Sequence, residues 1–268
     1  MKDVLGYEGK AVVITGAASG MGEAAARMLV DLGAAVYALD IKEVSAPVKL
    51  FIQTDLKDRA AIDSALAQIP AEIDALFNCA GILGPPFSNL DTALINFVGP
   101  RHLTELLLPR ITDGGAIAFI SSTAGMGWQG NLDSVNKLLA AQSFDGARAW
   151  LEENPEINNG YMFSKQCITA YIKTKAGELA KRNLRINSIS PAPTDTPFMK
   201  DLFDQFGKEA ADLYIAPCGR YATSEEMAEP LIFLNSNMAR FVSGHDLVID
   251  YGYTAEVEMG QRENLLGI

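Results

Sequence analysis

The chain has 268 residues, 49% of them hydrophobic, and a formal net charge of −11. That length and apolar content allow a substantial core and exclude a disordered chain, while the acidic balance argues against long-range attraction to nucleic acid or an anionic membrane. Three well-separated cysteines (Cys79, Cys167, Cys218) and two histidines (His102, His245) lack disulfide or ligand spacing, so reduced thiols and no bound metal are expected.

Residues 10 to 15 are a β-branched run without polar alternation, the pattern of a strand buried on both faces. The run enters Gly16-Ala17-Ala18-Ser19-Gly20-Met21-Gly22 and then a helix-forming stretch, 23 to 30. Strand, glycine-rich turn and helix together are the context of a dinucleotide phosphate site. Gly16 permits the turn, Gly20 lets the backbone approach a pyrophosphate at the positive helix end, and Gly22 allows close helix–strand packing. Ser19 and Met21 lie between these glycines and are counted as cofactor-binding with them. The alternative is an ordinary turn whose glycines serve the backbone alone. A second strand, 33 to 39, ends at Asp40, 18 residues past Gly22. A carboxylate there accepts both adenosine ribose hydroxyls and repels a 2′-phosphate. Ile41 adds no cation, although Lys42 offsets part of the repulsion, so NAD is expected over NADP.

A third strand, 50 to 54, leads to Asp55-Leu56, a polar–apolar pair suited to the amino group and ring face of adenine. Apolar residues at helical spacing mark 58 to 69. A fourth strand, 73 to 77, enters Asn78-Cys79-Ala80-Gly81, where small residues let the chain pass close to a flat cofactor. Asn78, Ala80 and Gly81 are therefore candidate cofactor contacts. A fifth strand, 116 to 120, ends in Ser121-Ser122. Further on, Tyr161 and Lys165 share one helix face. An ammonium beside a phenol favours the phenolate and turns the tyrosine into a proton carrier.

Thr15 to Gly22, Asn78-Cys79-Ala80-Gly81, Ser121-Ser122 and Tyr161-x-x-x-Lys165 occur in the order of the short-chain dehydrogenase/reductase family, which the chain resembles over nearly its whole length. The resemblance implies one α/β domain of Rossmann type, a doubly wound seven-stranded parallel sheet with helices on both faces, and NAD(P)-dependent hydride transfer. It also implies a catalytic relay of Asn96, Ser122, Tyr161 and Lys165. In that relay Asn96 holds a water in line with Lys165, and Ser122 holds the substrate oxygen beside the Tyr161 phenol. Lys165 stabilises the phenolate and bonds the nicotinamide ribose. Ser121 is expected to be structural. Pro191-Ala192-Pro193-Thr194-Asp195-Thr196 stands in the family's Pro-Gly-x-x-x-Thr place, with Ala192 where glycine is usual. Pro191, Thr194 and Thr196 are accordingly expected around the carboxamide.

Ser122 and Tyr161 are 39 residues apart, longer than is usual in the family, which puts an insertion near 128 to 155. Leu132, Val135, Leu138 and Leu139 form one helical stripe there, Ala147, Trp150 and Leu151 a second, which Pro155 ends. An insertion at this point resembles the 3α-hydroxysteroid dehydrogenase/carbonyl reductase branch, where it covers an assembly surface and leaves dimers rather than tetramers; a surface hairpin with no such role is the alternative. The Tyr161 helix continues as an amphipathic helix to Leu179. A sixth strand follows at 185 to 190 and a seventh at 247 to 250. Between them, 197 to 217 resembles the family's substrate loop. Phe198, Met199, Leu202, Phe203, Phe206, Leu213 and Tyr214 give it a mostly apolar inner face, suited to a lipophilic substrate. Residues 253 to 268 form a tail without an assigned role.

The expectation is one domain over 1–268, an NAD-dependent enzyme that interconverts a secondary alcohol and a ketone on a bulky apolar, steroid- or terpenoid-like substrate. Its expected assembly is a homodimer or homotetramer, with no nucleic-acid or membrane partner. No leader pattern or membrane-length apolar run is present, which reads as soluble and cytoplasmic. Reduction of small or xenobiotic carbonyl compounds is one alternative. A non-catalytic dinucleotide-binding scaffold is another, disfavoured because Tyr161 and Lys165 are both present.

Overall fold

In the computed structural model, which describes residues 3–265 apart from the side chains at 201, 202, 205, 206 and 210, seven strands form one sheet. They are β1 (Ala11–Thr15), β2 (Ala35–Asp40), β3 (Leu50–Gln53), β4 (Ile73–Asn78), β5 (Ile111–Ile120), β6 (Arg185–Pro191) and β7 (Asp246–Ile249). Their order is β3-β2-β1-β4-β5-β6-β7, and every pairing is parallel. Alternate residues of the central strands feed two cores. Val13, Leu76, Ile117 and Ile186 pack into one, and Val12, Ile14, Phe77 and Ala118 into the other.

The helices are α1 (Gly20–Asp31), α2 (Arg59–Ala65), α3 (Asn89–Ala93), α4 (Gly99–Leu107), α5 (Leu132–Ala140), α6 (Phe144–Glu153), α7 (Tyr161–Leu179), α8 (Pro197–Phe206), α9 (Lys208–Asp212), α10 (Ser224–Asn235) and α11 (Tyr253–Glu258). Helices α1 and α10 cover one face of the sheet, and α4 to α7 the other. The fold is thus the doubly wound Rossmann-type domain expected. Strand order reverses between β1 and β4, so a crevice opens above their C-terminal ends.

Three expectations need correction. Helix α2 stops at Ala65, not 69, where the chain tightens into three-residue turns: Ala67 donates to the Ser64 carbonyl (3.3 Å) and Gln68 to that of Ala65 (3.0 Å). Strand β7 ends at Ile249, because the carboxylate of Asp250 instead accepts the amides of Gly252 (2.9 Å) and Thr254 (2.8 Å). Helix α7 is not amphipathic in its first half: every residue from Phe163 to Ile172 is buried. Its polar positions have partners rather than solvent. Asn131 donates to Gln166 (2.8 Å), and Thr169 hydrogen bonds Ser121 (3.0 Å).

The insertion explains that burial. Val135, Leu138, Phe144, Ala147 and Leu151 join the same core as α7, although Leu132, expected in the stripe, is exposed. Buried Arg101 of α4 donates to the carbonyls of Leu138 (3.2 Å) and Ala141 (2.5 Å), tying the end of α5 to the body. Among the described residues no helix is long and apolar enough to cross a membrane, and no cluster of metal-ligating side chains occurs.

Candidate active site

The crevice begins where β1 and β4 are sewn together. Thr15 Oγ1 accepts the amides of Cys79 (3.1 Å) and Ala80 (3.3 Å). Gly16 has φ +70°, and a Cβ there would lie 2.6 Å from the Ala80 backbone. A Cβ on Gly22 would lie 2.1 Å from the Gly16 carbonyl oxygen. Only glycine fits either position. The result is a backbone cradle at the N-terminus of α1, whose amides suit an anionic phosphate. Ser19, in extended conformation just before the helix, makes no side-chain cap bond.

A cleft of about 600 Å³ runs from this cradle, and every predicted site residue except Asn78 and Asn96 lines it. At one end stand Asp40, Ile41, Asp55 and Leu56. The Asp40 carboxylate is oriented by two backbone amides, Ala18 (2.9 Å) and Lys42 (2.9 Å). Its remaining lone pairs are available to a diol. On the opposite wall are Pro191, Thr194 and Thr196. Thr194 Oγ1 donates to the Ala192 carbonyl (2.8 Å), which spends its proton and leaves the oxygen as an acceptor. Thr196 Oγ1 donates to the Thr194 carbonyl at 3.2 Å, and the Thr196 methyl packs toward Gly20. The glycine cradle, the diol-accepting carboxylate and these walls fit a nicotinamide dinucleotide.

Asn78 and Asn96 stand behind the cleft wall. Asn78 Nδ2 donates to Thr104 Oγ1 of α4 (3.1 Å), which turns the side chain into the helix–sheet layer. Asn96 sits in a single π-helical turn, Leu94–Val98, that joins α3 to α4. Its amide clamps Ile82 at both ends, accepting from the amide (2.8 Å) and donating to the carbonyl (2.9 Å), and also donates to Ser164 Oγ (3.2 Å). Such turns widen a helix and recur at functional sites.

The chemistry-bearing groups meet at the end of β5. The Ser122 hydroxyl lies beside the Tyr161 phenol, where it lowers the phenol's pKa, and accepts the Ala124 amide (3.1 Å). Lys165 Nζ lies 5.5 Å from the centre of the Tyr161 ring and donates to the Ile120 carbonyl at 2.8 Å. The Ser121 hydroxyl is held by Thr169 (3.0 Å) and by the Lys165 carbonyl (3.2 Å).

The expected ionisation is overturned. Burial raises the Tyr161 phenol above its ordinary value, and the Ser122 hydroxyl only opposes that rise. Burial also pushes the Lys165 ammonium down to about 8, against the fields of Cys79 and Asp246. The shared helix face brings the pair together. Desolvation sets the direction of the phenol's shift, and one N–H of the ammonium is taken by the Ile120 carbonyl.

Beyond Tyr161 the cleft becomes apolar. Phe198, Met199 and Tyr214 of the 197 to 217 segment line it, with the Phe198 ring 5.7 Å from that of Tyr161. Phe203 instead packs on Tyr221, and Leu213 is 57% exposed, so neither belongs to the inner face. Leu202 and Phe206 lie outside the described residues. Sequence reasoning missed Ile82, Phe87, Met162 and Leu265 in the lining. An apolar run just after the small-residue turn signals the first two. Met162 is signalled only by its place beside Tyr161, and Leu265 by nothing.

Two family models match the chain, one described as short chain dehydrogenase over residues 10–132 and one as enoyl-(acyl carrier protein) reductase over 137–254. A coniferyl-alcohol dehydrogenase of Pseudomonas sp. (strain HR199 / DSM 7063) is 32% identical over 91% of this chain and 96% of its own. A 3-alpha-hydroxysteroid dehydrogenase/carbonyl reductase of Comamonas testosteroni is 32% identical with the same coverage of both chains. Among solved structures, a 3-alpha-hydroxysteroid dehydrogenase from Pseudomonas sp. B-0831, complexed with NADH, aligns with a TM-score of 0.79. It is 24% identical and covers 94% of this chain and 99% of that one, a likeness of fold.

Proposed function

Since the chain belongs to the short-chain dehydrogenase/reductase family and is an alcohol/ketone oxidoreductase, we propose that it uses NAD and acts on a bulky, apolar secondary alcohol or its ketone. The observation that carries this reading is a single cleft lined by Asp40, by Tyr161 and by the apolar side chains of Phe198, Met199 and Tyr214, with the Phe198 ring 5.7 Å from that of Tyr161. Asp40 disfavours a 2′-phosphate, and a relative of this chain is an NAD-dependent glycerol dehydrogenase from Listeria innocua serovar 6a (strain ATCC BAA-680 / CLIP 11262).

When bound, nicotinamide dinucleotide supplies the acceptor or donor of hydride. This chain's residues supply the rest. Ser122 orients the substrate oxygen toward the Tyr161 phenol, and Tyr161 takes the alcohol proton in oxidation or gives it back in reduction. With its phenol raised by burial, Tyr161 keeps its proton at neutral pH and is poised as the acid for ketone reduction; in oxidation it first releases that proton and then acts as the base. Lys165 places a positive charge beside the ring and holds the end of β5 through Ile120. Asn96 acts through position, holding the Ile82 backbone that forms the cleft wall.

The test is a panel of secondary alcohols offered with NAD and with NADP, followed by absorbance of the reduced cofactor. Turnover of cyclic lipophilic alcohols with NAD, and little with short alcohols, is expected. The opposite pattern removes the substrate reading, and equal use of both cofactors removes the role given to Asp40.

A further inference from the structure

After β7 the chain turns sharply through Tyr251 (φ 55°) and Gly252 (φ 92°) into α11. That helix is bolted to the substrate segment. The buried Tyr253 ring lies 6.3 Å from the Tyr214 ring, and its hydroxyl donates to the Leu213 carbonyl (3.3 Å). Past α11 the backbone reverses, and the amides of Gln261 (2.8 Å) and Arg262 (3.2 Å) both donate to the Glu256 carbonyl. Arg262 then folds back: its guanidinium sits 4.6 Å above the Tyr253 ring, and Nε donates to Glu256 Oε2 at 2.8 Å. Three residues later, Leu265 lines the same cleft as Phe198, Met199 and Tyr214.

Resting on the alcohol/ketone reading, we propose that this segment is a wall of the substrate pocket, with Leu265 as a specificity residue and Arg262 as the residue that positions it. No strand or helix holds positions 259 to 265. A guanidinium stacked on an aromatic face and bonded to a carboxylate restrains the segment, together with the Gln261 and Arg262 amides bonded to the Glu256 carbonyl. Because Tyr253 touches Arg262 on one side and Tyr214 on the other, the tail and the substrate segment share one aromatic hinge. Leu265 lines the cleft together with Phe198, Met199 and Tyr214, and an aliphatic wall there is felt more by a substrate that fills the cleft than by a short one. Leu265 therefore separates bulky cyclic alcohols from short ones.

The test uses the NAD-loaded enzyme with menthol and isopropanol. In Leu265→Ala the KM for menthol is expected to rise about tenfold, with its kcat and the isopropanol parameters little changed. Arg262→Ala should give the same split, and Arg262→Lys, which keeps a cation against Glu256 and Tyr253, should restore much of it. Equal loss for both alcohols, or no change for either, overturns the assignment. If the wild type turns over neither alcohol, the alcohol reading fails separately. The tail is then decided by menthone binding to the NADH-loaded Leu265→Trp variant: a shift in indole emission supports it, and none overturns it.

Discussion

The Lys165 ammonium stands 5.5 Å from the centre of the Tyr161 ring yet gives its hydrogen bond to the Ile120 carbonyl, 2.8 Å away. One of its three N–H donors is thereby engaged with the end of β5 rather than with the phenol. Burial, which raises the phenol, sets its resting state.

That state can be read directly. Tyrosinate difference absorbance between the wild type and Tyr161→Phe should stay flat up to about pH 10 without cofactor, the phenol's ordinary value being 10.0 and its shift upward. A step near neutral pH would restore the phenolate expected from the Tyr161–Lys165 spacing alone.

Removing the phenolic oxygen should cost turnover and spare binding. Tyr161→Phe is expected to lose about 10²–10⁴-fold in kcat, the usual contribution of positioned acid–base catalysis. NADH affinity, measured by fluorescence titration, should stay close to wild type. Full turnover in this variant would end the proton-transfer role.

Lys165 makes a stability prediction with a definite sign. Its value falls from 10.5 to about 8 on burial, so between those pH values the unfolded chain binds more protons than the folded one. Stability contributed by this group rises with pH across that window, as the cost of a buried charge is relieved. Relative to Lys165→Met, the wild type should gain denaturant stability from pH 8 to pH 10. A constant difference would mean that the ammonium is better solvated than its surroundings indicate.

Asp40 is expected to set cofactor choice. Two unit charges ~4 Å apart repel by ~1 to ~4 kcal/mol between bulk water and an effective dielectric of ~20. Asp40→Ala should narrow the preference in kcat/KM for NAD over NADP by roughly tenfold or more. An unchanged ratio would shift selection to Lys42 or Lys57, which line the same end of the cleft.

The inserted helices should behave as core. Leu138 is 1% exposed, and Leu138→Ala is expected to cost about 2–5 kcal/mol in urea unfolding. Leu132→Ala, on the same helix but exposed, should cost within about 0.5 kcal/mol. Equal small effects would mean that α5 is a detachable hairpin.

What was legible in the sequence was whatever rests on local backbone demands. Strands buried on both faces read as unbroken apolar runs, Gly16 and Gly22 stand where a Cβ meets backbone, and Asp40 closes β2 a set distance beyond them. The positive φ of Gly16, the contact of Gly22 with Gly16 and the place of Asp40 all lie within one βαβ unit and so are written in consecutive residues, whereas the closeness of Ala80 to Gly16 is tertiary. The tertiary structure alone decided the rest: the raised phenol of Tyr161, the grip of Asn96 on Ile82, the burial of α7 from Phe163 to Ile172 on all sides, and the place of Leu265 in the cleft lining. Desolvation and hydrogen-bond partners are supplied by segments far apart in the chain, and no spacing within one segment carries them.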